Sequence, residues 1–177
     1  MTATETSIQA LLDKQAITEL LTGYMRAVDR GDVETLRAAY TDDAVEDHGG
    51  VYHGSAADYV DSVADAITHP RSLTTHLLSN VLIDLDGDTA TAESYATTFA
   101  RVWTGSETAD SLTSARLIDR LVRRDGRWAI AHRTLLWEWN MDVPTTETWV
   151  HGFLAADPSV LRKGQKFPAD PVYGATA

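Results

Sequence analysis

Tyr24, Asp29 and His76 are the residues whose types and spacing best suit proton transfer. Asp29 stands in "GYMRAVDRGD", the last turns of a helix and its stop. Gly31 can take the positive φ that follows a last turn, and Asp32 can cap the next helix. A carboxylate beside the negative end of the helix dipole is disfavoured, so Asp29 needs a partner or a purpose. Tyr24 and Asp29 are five residues apart, which places them about 140° apart around a helix. Both can flank a cavity lying over the helix end. His76 falls early in a strand, in "LTTHLLSN". If that strand crosses the first helix, the imidazole meets the Asp29 carboxylate. The imidazole then takes a proton, while the acid holds its tautomer and stabilises the cation that forms. Tyr24 offers a phenol to a substrate carbonyl or leaving hydroxyl. The plainer alternatives are a solvated helix-end acid, a histidine bonded to a backbone carbonyl, and a core tyrosine.

Other polar groups carry weaker signals. Arg133, in "IAHRT", reads equally as a sheet-surface ion pair or a ligand for an anionic substrate. His48 and His53 flank a Gly-rich hairpin with Glu46 and Asp47 nearby. Their spacing fits no compact metal motif, so no metal is expected, and Asp47 and His48 are assigned to the pocket mouth. Trp137 and Trp139 are two apart on a strand and hence on one face. They read as core or subunit interface, or as an aromatic wall for a ring-shaped substrate. The sequence contains no Gly-rich phosphate loop and no Gly-x-Ser-x-Gly elbow, and no cofactor is expected.

The elements that must position these residues are legible in the pattern. Residues 6–30 carry apolar positions at three- and four-residue spacing, from Ile8, Leu11 and Leu12 to Met25 and Val28, with Thr6 or Ser7 as cap. Asp32 caps a short helix through "VETLRAAY". "AVEDHGGVYHG" reads as two short strands around Gly49-Gly50, and Ser55 caps a helix over 55–67. From residue 72 the period becomes two. Turn signals at Asp86-Gly87, near Gly105 and at Asp125-Gly126 divide four long strands. Three helices followed by a run of strands predict an α+β fold with a curved antiparallel sheet. Such a layer pair forms a cone whose open end is a small-molecule pocket. The body is expected over 1–142. Residues 143–177, which hold four of the five prolines, are expected to wrap the domain or a neighbouring subunit.

Composition narrows the function classes. A net charge of −11 disfavours phosphate backbones and anionic lipid surfaces, so neither nucleic acid nor membrane is an expected partner. The absence of cysteine excludes a disulfide framework, thiolate metal sites and a cysteine nucleophile. The opening "MTATETSIQA" lacks the pattern of a signal peptide, and a cytoplasmic location is the expectation.

The order of elements, together with "AITELLTGYMRAVDRGDVETLRAAYTDDAV", "YHGSAADYV", "TTHLLSNVLID", "RLIDRLVRRDGRWAIAHR" and "ADPVYG", resembles the SnoaL-like family of the nuclear-transport-factor-like superfamily. The resemblance implies a cone-shaped α+β barrel. It also implies a His–Asp pair at His76 and Asp29, as in the dehydratases and dehydrochlorinases of that superfamily. Tyr24 matches a dehydratase tyrosine and Arg133 a dehydrochlorinase arginine. On the next strand, Tyr95 or Phe99 falls where those dehydratases carry a histidine or aspartate. The implied activity is a cofactor-independent lyase on a small, hydrophobic or cyclic organic substrate. The superfamily also contains isomerases, polyketide-type cyclases, ligand-binding proteins and structural subunits of ring-hydroxylating dioxygenases. A homo-oligomer, trimer or dimer, is implied as well.

Overall fold

The computed structural model describes residues 3–145 and 157–174. The chain opens with α1 (Ala3–Arg30), α2 (Val33–Ala38), β1 (Tyr40–His48), β2 (His53–Ser55) and α3 (Ala56–Thr68). Four long strands follow: β3 (Leu73–Asp86), β4 (Thr89–Trp103), β5 (Thr108–Arg124) and β6 (Arg127–Val143). The expected caps form: Asp32 accepts from the Thr35 amide and Ser55 from the Asp58 amide. Helix α1 begins earlier than expected, so Thr6 and Ser7 lie inside it. Its Ile8, Leu11 and Leu12 remain exposed, and the buried stripe starts at Ile17. Helix α2 stops at Ala38, and Tyr40 instead opens β1.

The six strands form one sheet in the order β2-β1-β6-β5-β4-β3. All its ladders are antiparallel except β1–β6, which is parallel and joins the early hairpin to the last strand. The β5–β6 turn places Asp125 and Gly126 both at positive φ, the geometry that matches the twist of a two-residue hairpin. Register shifts at Ser79/Leu82, Ser114/Ala115 and Arg120/Leu121 interrupt the ladders. Each bulge sharpens local bend and twist, so the sheet curls without closing. The helices fill its concave side: Ile17, Leu21, Tyr24 and Met25 of α1, Leu36 of α2 and Val60 of α3 pack against Ile83, Ala92, Leu117, Leu121 and Ile130. The architecture is a mixed α+β cone.

Register decides which residues face the hollow. His76 pairs with Thr98 and Thr98 with Thr113, which form one inward row. The neighbouring row, Thr75, Phe99, Leu112 and Met141, faces outward, and Phe99 and Met141 are exposed there. At the other end, α1 meets the C-terminal segment. The Phe167 amide donates to the Arg30 carbonyl at 2.7 Å and Lys166 Nζ to the Asp29 carbonyl at 2.9 Å. These carbonyls belong to the last helical turn, where no intrahelical donor is left. Arg30 pairs with Asp170, and Arg26 lies over the Tyr173 ring. The expected tail also includes residues 146–156 and 175–177, which lie outside the described residues.

Gly31 shows why this junction needs glycine. Its φ is +67°, and an added Cβ would lie 2.7 Å from the Ile67 carbonyl oxygen. Gly87 has a similar φ of +60° but open space around it. Gly87→Ala is therefore expected to cost only the left-handed backbone penalty of about 1–2 kcal/mol. Gly31→Ala should cost clearly more, and urea unfolding of the two variants side by side measures the difference.

Candidate active site

Strand β3 crosses the end of α1, and there His76 meets Asp29. His76 Nδ1 lies 2.6 Å from Asp29 Oδ1, and the His76 backbone amide donates to Oδ2 at 3.0 Å. One carboxylate thus grips both the ring and the main chain of the same residue. Burial by itself would raise the Asp29 carboxyl. The bonds and charge from His76 outweigh it and hold the group below its usual range. With Nδ1 engaged, Nε2 is the ring nitrogen left for chemistry. Both side chains are largely shielded, 18% exposed for His76 and 13% for Asp29.

His76 lines a cavity of about 240 Å³ with Tyr24, Met25, Val28, His48 and Tyr59. Ala96, Thr98, Thr113, Leu117 and Trp137 complete much of its sheet wall. The volume is just under the ~300–1,000 Å³ usual for small-molecule pockets. Tyr24 sits on α1 with its ring under the Arg133 guanidinium, 4.1 Å from Cζ to the centroid. Burial pushes the Tyr24, Tyr40 and Tyr59 phenols upward, so all three stay protonated near neutrality.

Arg133 lines the cavity but is neither a surface group nor a free cation. It is buried and bound through two nitrogens to Asp119, at 2.7 and 2.9 Å, and Asp119 is fully buried too. Burial opposes its charge, yet the Asp119 carboxylate keeps the guanidinium firmly protonated. The pair acts as a rigid, charge-balanced floor under Tyr24.

Three expected lining residues point elsewhere. Tyr95 and Phe99 alternate with the inward Ala96, Thr98 and Ala100 on β4, so both face outward. Asp47 alternates with Glu46 and His48 on β1 and faces away; its carboxylate lies 3.8 Å from the exposed His53. That alternation also sorts the hairpin's acidic and imidazole groups into two pairs on opposite faces, Glu46 with His48 and Asp47 with His53. Among the described residues no cluster of three or more potential metal ligands occurs. The Trp137–Trp139 pairing is altered as well. The bulge opposite Ser114/Ala115 breaks the two-residue alternation, and only Trp137 reaches the cavity. Its Nε1 donates to the Gly49 carbonyl at 3.1 Å. Gly49, at φ +58°, has no room for a Cβ, which would lie 2.5 Å from that indole nitrogen.

Sequence reasoning missed the role of Glu46, Tyr40, Tyr59 and Asp119. Glu46 is fully buried; it bonds His48 Nδ1 at 2.8 Å and accepts from the Tyr40 hydroxyl at 2.7 Å. The Tyr40 and Tyr24 hydroxyls lie 3.0 Å apart. A polar residue at every second position of β1, Glu46 and His48, was the available signal. Asp119 on β5 has no local signal at all.

Residues 9–134 match the family model described as the SnoaL-like domain. The chain belongs to the SnoaL-like family. Its fold recurs in a hexachlorocyclohexane dehydrochlorinase, LinA type 2, at a TM-score of 0.70 and 17% identity, over 80% of this chain and 95% of that one. LinA type 3 of Novosphingobium barchaimii LL02 superposes at 0.69 and 17% identity, over 80% and 97%. A Mycobacterium tuberculosis protein of unknown function superposes at 0.60 and 26% identity, over 77% of this chain and 78% of that one. No curated protein matches the sequence significantly. No helix among the described residues is long and apolar enough to cross a membrane.

Two outcomes are expected. The lowered Asp29 carboxyl contributes stability above its unfolded value of 3.8, and that contribution is lost as pH falls through the folded value. The stability gap between the native protein and Asp29→Asn should therefore narrow on acidification below about pH 4, read by urea melts across pH. Asp119→Ala strands the buried Arg133 charge and should cost about 3–5 kcal/mol of unfolding free energy, measured the same way.

Proposed function

We propose that this SnoaL-like protein is a cofactor-independent lyase. It removes a proton from a small, cyclic organic substrate and expels a β leaving group such as water. The observation that carries this reading is the 2.6 Å Asp29–His76 contact at the wall of a mainly apolar cavity. In this reading His76 Nε2 takes the proton from carbon. Asp29 holds Nδ1–H and balances the imidazolium that forms. Tyr24, a neutral phenol in the same wall, turns its proton from Tyr40 to the substrate oxygen where charge develops. The other phenols stay protonated and cannot serve as bases, which leaves imidazoles for that task. The same first proton transfer serves a double-bond shift or ring closure when the substrate has no leaving group. The apolar rows on the outer sheet face, with Leu77, Phe99, Trp139 and Met141 exposed, support a homo-oligomer, trimer or dimer.

His76→Ala and Asp29→Asn are each expected to lower turnover by about 10²- to 10⁴-fold, and Tyr24→Phe by about 10²-fold. Steady-state kinetics on cyclic β-substituted ketones, with circular dichroism as a check on folding, measures this. A folded His76→Ala protein with full activity overturns the reading.

A further inference from the structure

The cavity wall carries a second histidine backed by a carboxylate, on β1, three strands removed from β3. Strand β1 turns Glu46 and His48 inward. It is separated from β3 by β6, β5 and β4, yet both strands line one hollow because the sheet curls. The His48 ring is clamped. It stacks on Tyr59 at 4.8 Å and 26°, and meets the Trp137 ring edge-on at 5.6 Å. Nδ1 is held by Glu46. Among the described residues Nε2 has only the Tyr59 hydroxyl at 3.4 Å, too long for a firm hydrogen bond and easily displaced by a substrate oxygen.

The Glu46 carboxylate is fully buried, and among the described residues it is hydrogen-bonded by Tyr40 and His48. A buried carboxylate needs a nearby proton or cation. Arg133 is already committed to Asp119, so His48 is the group placed to supply one. One proton sits in the Nδ1–Oε1 contact. When the pair holds a second, it resides on Nε2, whichever atom carries the shared one.

We propose that His48, oriented by Glu46, is the general acid that protonates the departing oxygen while His76 removes the carbon proton. This rests on the lyase reading above. The electrons of the broken C–H bond form the new double bond, and the C–O bond breaks with its electrons on oxygen. That oxygen takes the Nε2 proton of His48 and leaves as water. His76 gains one proton and His48 loses one, and exchange with solvent restores both.

The test compares 3-hydroxycyclohexanone with 3-acetoxycyclohexanone, followed by the absorbance of the common enone product. Hydroxide needs a proton to depart, whereas acetate leaves as a stable anion. His48→Gln is expected to lower kcat/KM for the hydroxy ketone about 10²-fold further than for the acetate ester. His76→Ala should depress both by a similar factor. Residual turnover of the ester reports a folded variant, and His48→Asn supplies the same comparison if the glutamine variant melts early. An equal factor on both ketones overturns the acid role and leaves the lyase reading standing. A native protein that accelerates neither ketone, or a His76→Ala variant that keeps both activities, overturns the lyase reading and the acid role with it.

Discussion

Everything at this site depends on one carboxylate placed where a helix alone would not favour it. Asp29 ends α1, and its two oxygens take the ring and the main chain of His76 from a strand 47 residues away. That double grip joins the helical layer to the edge of the sheet at the cavity wall. It also answers the dipole problem. The Lys166 ammonium and the Phe167 amide donate to the Asp29 and Arg30 carbonyls at the negative helix end, while the His76 amide serves the Asp29 carboxylate itself. Lys166 carries its own cost: burial pulls it below its usual range, with the nearby Asp29 charge opposing that.

A second layer of order lies beneath the cavity. Asp119, Arg133, Tyr24, Tyr40, Glu46 and His48 form a continuous polar chain from β5 through β6 and α1 to β1. Arg133 balances Asp119 within it, and its phenols stay neutral. Hydrogen-bonded networks of this kind are rigid, because any member that moves leaves a buried partner unmatched. Here that rigidity holds Tyr24 and His48 at fixed places in the wall, while the apolar remainder of the cavity sets the size of what fits.

Much of this was readable beforehand where the physics is local. The caps at Asp32 and Ser55, the glycine stop at Gly31 and the hairpin at Asp125-Gly126 all depend on a few neighbouring residues, and all formed. The reading failed where a residue's face depends on distant partners. Tyr95, Phe99 and Asp47 have suitable chemistry, but each stands one position out of phase with the hollow. Trp137 and Trp139 were parted by a bulge that no two-residue count detects. Asp119 was invisible because nothing near it in sequence marks it as the partner of Arg133.

The sequence by itself determined the order of helices and strands, the turns between them, and the candidate acid and base at Asp29 and His76. These follow from capping, periodicity and side-chain chemistry, which act over a few residues. The tertiary structure alone decided which faces look inward, that Arg133 is neutralised, and that Glu46 and His48 form a pair in the same cavity. Inward facing is the sum of register and bulges across the sheet, and a shift of one residue in any strand reverses it.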